Sequence, residues 1–429
     1  MSRDPLSLMT VTEDVASGSR LIRDIAEDCL DLISLGEPRI GAFSHLSPAD
    51  IRREADRLDG APKGPLSGLT VAVKDVIATK DMPTGFANAR YEGVRTGWDA
   101  PCVDVLRQAG ALILGKTVTT EFAATARGGK TRNPRDPARS PGGSSSGSAA
   151  AVAAGFCSVA IGTQTGGSTI RPASYCGVWG WKPSWHAISR EGLKQFSVTL
   201  DTVGFYARHA EDLEALAEVY RLDPAPPVSS LSGLRIGLCR TPVWDRVDAP
   251  MREALDEAAK RLRLEGAEVI SFELPRSFDT LPATHGKILA REGSTSFLNE
   301  AMAQGEALHE QFRTMVATRG GLTAAELRRA YTEADTARAV FDEIMDGFDA
   351  VIAPSATGEP PLGQAHTGDA IMNSFWTLLH VPVVSVPGLQ SPAGLPLGVS
   401  FIGQRYTDRR LLNIARLATE VFQADLAFS

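Results

Sequence analysis

The sequence predicts an α/β protein, a large parallel or mixed β-sheet wrapped by helices. Short β-branched runs alternate with amphipathic helical runs along most of the chain, which is the pattern of a sheet layered with helices. With 429 residues, 43% hydrophobic and 22% charged, the chain has a globular composition and can bury a sizeable core. That length fits one large domain or two ordinary ones. We divide it into a helical N-terminal segment, residues 1–60, and a main domain, 61–429, which together form one compact unit.

The elements follow in order. "ASGSRLIRDIAEDCLDLISLGEP" and "SPADIRREADRLDG" have helical spacing, with Ser47 a good N-cap. "LSGLTVAVKDVIAT" is a β-rich run interrupted by one lysine, Lys74. "CVDVLRQAG" reads as a helix leading into the strand "ALILGKT". "NPRDPARSPGGSSSG" is a loop, and "SAAAVAAG" a helix whose faces are all small, which predicts burial on every side. After the proline-rich "LDPAPPVSS" come the strand "GLRIGLCR", the helix "MREALDEAAKRLRLEG", the strand "AEVISFELP", long helices to Asp346 and the strand "DAVIAPS".

Composition excludes several function classes. A net charge of -7 disfavours electrostatic binding of a polyanion, and 6 Trp with 6 Tyr offer no stacking platform, so no nucleic-acid partner is expected. The N-terminus lacks a basic segment followed by an apolar stretch, and no run of about 18 apolar residues occurs, so a cytoplasmic location without membrane contact is expected. The five cysteines are widely spaced, without C-x-x-C, and the seven histidines lack H-x-x-x-H or H-E-x-x-H spacing. Neither a disulfide framework nor a metal is indicated, and no cofactor is expected.

Two motifs mislead. "GALILGKT" (110–117) matches the phosphate-binding pattern G-x-x-x-x-G-K-[ST], yet the residues between its glycines are Ala111, Leu112, Ile113 and Leu114. A run that apolar reads as a buried strand rather than a loop with N–H groups turned to phosphate. Gly143 to Gly147 matches G-x-S-x-G around Ser145, but a nucleophile elbow needs a strand before its serine, and "NPRDPARSPG" is not one.

The informative segment runs from Ser140 to Ser184. Its "TQTGGS" offers what acyl transfer needs: consecutive glycines let the backbone approach a carbonyl, and their N–H groups can converge on an oxyanion beside the Ser168 hydroxyl. Such a serine needs a base. Lys74, inside the apolar "TVAVKDV", either snorkels to the surface or is buried, where desolvation lowers its pKa and makes it a base.

Five ordered blocks resemble the amidase signature family, serine hydrolases with a Ser–cis-Ser–Lys triad. They are "VAVKD" (71–75), "GALILGKTVTTEF" (110–122), "TRNPRDPARSPGGSSSGSAAAVAAG" (131–155), "GTQTGGSTIRPASYCGVWGWKPS" (162–184), and "TLLHVPVVSVPGL" with "GLPLGVSFIG" (377–403). The resemblance implies the amidase signature fold over 61–429. It places the nucleophile at Ser168, the bridging cis-serine at Ser144 and the base at Lys74. It assigns the oxyanion hole to backbone N–H groups around Thr165, Gly166, Gly167 and Ser168, and makes Ser145 a site contact.

Two departures bear on substrate. Gln164 stands where many members of the family have an acidic residue, and is counted here among the substrate-binding candidates. Arg171 lies three residues after Ser168 rather than two, as in the malonamidase-like branch. It either holds a substrate carboxylate or clamps the loop before Pro172. The expected activity is hydrolysis of a small-molecule carboxamide or related C–N bond through an acyl-enzyme. The alternatives are the glutaminase component of an amidotransferase, a carbamate or urea-derivative hydrolase, and a catalytically dead binding protein. The oligomeric state stays open, a homodimer being among those considered.

Overall fold

A computed structural model of the protein describes residues 7–423. Eleven strands form a single mixed sheet. In chain order they are β1 (Phe43–Leu46), β2 (Thr70–Lys74), β3 (Leu112–Thr117), β4 (Val159–Gln164), β5 (Trp179–Lys182) and β6 (Thr202–Ala207). Then follow β7 (Arg235–Arg240), β8 (Glu268–Glu273), β9 (Ala350–Pro354), β10 (Val383–Gln390) and β11 (Pro396–Ile402). Their spatial order is β1-β3-β2-β4-β6-β5-β10-β11-β9-β7-β8. The α/β architecture with helices around a large mixed sheet is thus the one the alternating pattern implies.

β2 lies between β3 and β4 and is parallel to both. Strands buried on both faces read as continuous apolar runs, and "TVAVK" is buried throughout. "GALILGKT" likewise ends in the fully buried β3, so no phosphate loop forms there. The helix Ser146–Ala153 packs on β2, β3, β4 and β6. Ser146 to Val152 are all buried, as small residues on every face require. Its polar groups find partners inside: Ser148 Oγ donates to the Ile161 carbonyl at 2.9 Å and lies 2.7 Å from Thr117 Oγ1.

The N-terminal segment differs from the all-helical expectation. The helices Leu8–Ser17, Ile22–Ile40 and Pro48–Asp59 are present, and the Ser47 hydroxyl caps the last by accepting from the Asp50 N–H. Between them lies β1, which pairs antiparallel with β3 and covers that side of the sheet. A four-residue strand carries too little periodicity to stand out between two helices. One continuous set of buried apolar residues, from Leu8 to Phe422, joins these helices to the rest.

Gly147 shows how tightly the signature helix is seated. A Cβ there would lie 2.2 Å from the Ala42 carbonyl oxygen and 2.4 Å from the Val118 nitrogen, both backbone atoms that cannot swing aside. Gly147→Ala is expected to destabilise the protein by about 1–3 kcal/mol, or to prevent its accumulation. Exposed Gly286, inside the helix Leu281–Ser296, meets nothing within 4 Å. Gly286→Ala should therefore stabilise by about 0.5–1 kcal/mol. Urea unfolding of both variants checks this contrast.

Candidate active site

Parallel register brings the sequence-predicted residues together. Val71, Ala72 and Val73 pair with Val159, Ala160 and Ile161, so Lys74 ends β2 beside the last residues of β4. Both strands deliver their C-terminal ends to one edge of the sheet, where open α/β sheets place their sites. The loop before the helix Ser146–Ala153 arrives at the same edge. It turns at Gly142, whose φ of 83° is favoured only for glycine, and the Gly143–Ser144 peptide is cis.

Lys74 is buried and donates from Nζ to Ser144 Oγ at 2.7 Å and to Thr163 Oγ1 at 2.7 Å. Burial holds its amine well below the ordinary lysine value of 10.5, and the negative charge of Asp201 only partly opposes this. Hydroxyl partners bring no compensating charge, so burial favours the neutral amine that base chemistry requires. Thr163 was not among the sequence-predicted residues. It sits inside an apolar strand, and only the register with β2 brings it to the amine.

The "TQTGGS" turn follows β4. Its carbonyls are all engaged: that of Thr165 by His285 Nε2 at 2.8 Å, of Gly166 by Thr377 Oγ1 at 2.8 Å, of Gly167 by the Arg171 N–H at 3.1 Å, and of Ser168 by the Tyr206 hydroxyl at 2.9 Å. The N–H groups of Thr165, Gly166, Gly167 and Ser168 have no hydrogen-bond partner among the described residues. Thr165 Oγ1 donates to Asp201 Oδ1 at 2.6 Å, because Thr202 pairs with Gln164 and sets Asp201 opposite Thr165. Burial pushes the Asp201 carboxyl up to about 6, while Thr165 and the N–H groups of Phe196 and Ser197 favour its charged form. Ser168 is half-buried, and its side chain makes no hydrogen bond among the described residues.

The three substrate-binding candidates are used largely by the protein itself. Ser145 is buried, with Oγ donating to the Thr163 carbonyl at 3.2 Å and accepting from the Thr163 N–H at 3.3 Å. Gln164 Oε1 accepts from the N–H groups of Thr169 and Ile170 at 2.9 and 3.0 Å, and its Nε2 donates to Thr377 Oγ1 at 3.1 Å. Its amide therefore anchors the turn to the helix Ile170–Cys176, where a carboxylate could accept the same two N–H groups but could not donate to Thr377. Arg171 is buried and donates from Nη2 to the Gly143 carbonyl at 2.6 Å and to Thr367 Oγ1 at 3.3 Å. The expected clamp on the loop before Pro172 is not formed, because Arg171 and Pro172 lie within the helix Ile170–Cys176 and the guanidinium instead holds the loop before Ser144; its Nε and Nη1 have no hydrogen-bond partner among the described residues.

The family described as Amidase matches residues 24–412. The chain belongs to the amidase signature family. Its relatives include a glutamyl-tRNA(Gln) amidotransferase subunit from Synechococcus sp. (strain CC9605), 31% identical over 97% of this chain and 96% of that protein. The corresponding protein of Symbiobacterium thermophilum is 33% identical over 91% and 92%. Among solved structures, the native peptide amidase from Stenotrophomonas maltophilia superposes with a TM-score of 0.80 at 28% identity, covering 96% of both chains. As a member of the amidase signature family the chain carries a fold used for amide C–N cleavage. No helix of the described residues is long and apolar enough to cross a membrane.

The buried amine gives a test through stability. Burial lowers the pKa of Lys74 in the folded protein, whereas the unfolded chain binds a proton below the ordinary value of 10.5. The unfolded chain then holds the extra proton, so stability rises with pH between the lowered folded value and 10.5. Relative to Lys74→Met, the wild type should gain up to about 1.4 kcal/mol per pH unit across that window. Urea unfolding at pH 7, 8 and 9 measures it, and a flat difference would mean that Lys74 is charged in the folded protein.

Proposed function

We propose that the protein is an amidase that hydrolyses a small carboxamide through an acyl-enzyme on Ser168. The observation that carries this reading is the buried contact between Lys74 Nζ and Ser144 Oγ, next to a turn with four unpaired N–H groups. Ser168 Oγ attacks the carbonyl carbon as its proton passes to Ser144 Oγ, whose own proton passes to Lys74 Nζ. The oxyanion forms beside the N–H groups of residues 165–168. The relay then runs backward, the leaving nitrogen takes the proton as the C–N bond breaks, and the acyl group stays on Ser168. Water attacks this ester by the same relay and releases the acid. The Ser168 hydroxyl, unbonded in this structure, closes the relay when substrate aligns it, since catalytic hydrogen bonds often tighten only in the complex.

Ser168→Ala should abolish turnover with the fold intact, and a fluorophosphonate adduct should map to Ser168 by peptide mass analysis. Lys74→Ala and Ser144→Ala should each lose on the order of 10²–10⁴ in rate, the usual scale for general-base catalysis. Labelling at Ser145, or near-normal amide hydrolysis by Lys74→Ala, would refute the triad.

For substrate choice, the unpartnered Nε and Nη1 of Arg171 support a preference for amides that bear a carboxylate. A charge-assisted contact of about 1.5–3 kcal/mol corresponds to roughly 10- to 150-fold in kcat/KM. Arg171→Gln should show that loss on malonamate-like substrates and a smaller one on neutral amides. An equal loss on both, or a wild type that prefers neutral amides, would leave Arg171 as a loop clamp alone. The amidotransferase components among the relatives favour a second reading, a glutaminase that passes ammonia to a partner. Selective hydrolysis of glutamine and co-purification with a second protein would replace the first reading with it.

A further inference from the structure

The four carbonyls of the 165–168 turn have donors from four different places in the chain, and two of these, His285 and Thr377, lie 117 and 209 residues beyond Ser168, Thr377 at the start of the 377–403 block. His285 comes from the helix Leu281–Ser296, and Thr377 from the helix Ile371–Leu378. A trans peptide is planar, and its C=O and the following N–H point in opposite directions. A donor that fixes one carbonyl therefore aims the next residue's N–H the other way. His285 on the Thr165 carbonyl fixes the Gly166 N–H, and Thr377 on the Gly166 carbonyl fixes the Gly167 N–H. Glycine is the residue whose peptides would otherwise rotate most freely, so these two planes most need an external hold.

We infer that His285 and Thr377 are positioning residues of the amide hydrolysis, holding the Gly166 and Gly167 N–H groups in the orientation that receives the oxyanion. This rests on the reading of Ser168 as nucleophile. His285 is buried, and its ring lies against the turn: a Cβ on Gly166 would sit 3.7 Å from Cε1. A carbonyl has no proton to give, so the ring carries its proton on Nε2. Burial lowers the pKa of His285, which favours the neutral ring. Protonation would leave the Nε2–H in place, so the hold itself does not depend on pH. Thr377 Oγ1 also accepts from Gln164 Nε2, which orients its hydrogen toward the Gly166 carbonyl, with the Asn373 carbonyl at 3.1 Å as the alternative acceptor.

The test compares paired variants: His285→Leu with His285→Gln, and Thr377→Val with Thr377→Ser. Gln and Ser keep an N–H or O–H donor, whereas Leu and Val keep only bulk. Turnover of 4-nitroacetanilide and of malonamate, the rate of fluorophosphonate labelling of Ser168, and thermal unfolding are read together. The expected result is a kcat lower by about 10- to 10³-fold in the Leu and Val variants, the scale of losing an oxyanion donor. KM should change less than about threefold, labelling should slow in parallel, and Gln and Ser should recover most of the rate. Leu and Val variants with wild-type kcat, or loss of thermal stability with unaltered kinetics per folded molecule, would overturn the inference. Should His285→Leu not fold, the Thr377 pair decides. Full activity in Ser168→Ala would remove the underlying reading instead. Loss of activity in Ser168→Ala with normal kcat in His285→Leu and Thr377→Val would sink only the positioning role.

Discussion

The structure depends on one constraint: an amine must be buried at the end of a central strand without a carboxylate to neutralise it. Transferring a charged ammonium into such a place costs more than hydroxyl partners return, so burial shifts the balance toward the neutral amine. Lys74 meets that condition through Ser144 and Thr163. The other buried lysines show how partners grade the effect. Lys116, 3.6 Å from Asp75 Oδ1, is lowered to about 8, and Lys182, bonded to the carbonyls of Pro183 and Val381, to about 7.

The surroundings of Lys74 follow from keeping its amine dry. A helix of small residues lies against the strands that flank β2, and larger side chains would force it away from them. The helix begins directly after the cis Gly143–Ser144 peptide, so its seating also fixes the hydroxyl that meets the amine. Arg171 secures the same peptide from the other side by holding the Gly143 carbonyl, and in doing so ties the loop that bears Ser144 to the helix that follows Ser168.

The substrate-facing candidates illustrate how a polar side chain in a buried site is shared between chemistry and architecture. Gln164 and Ser145 spend their hydrogen-bonding capacity on the backbone of the turn and of β4. Among the described residues the N–H groups of residues 165–168 have no partner, and they stand out against this background of satisfied neighbours. Satisfied carbonyls on one side and free N–H groups on the other form a polarised turn suited to a developing negative charge.

The sequence by itself determined the fold class, through alternating helical and strand patterns, and pointed to Lys74 in an apolar run and Ser168 after two glycines as candidates, while Ser144 was reached only through the family resemblance. Lys74 and Ser168 were legible because each belongs to a local pattern with a local physical cause. It also set aside the false phosphate loop, since an apolar run after a helix buries itself as a strand. Tertiary structure alone decided the rest. β1 emerged from its pairing with β3, and Thr163 reached Lys74 through the register of β2 and β4. Asp201, His285, Thr377 and Tyr206 came to the turn from 33 to 209 residues beyond Ser168, and the Arg171 clamp formed across a loop. Contacts between distant segments leave no spacing to read, because sheet pairing and helix packing choose the neighbours only once the chain has folded.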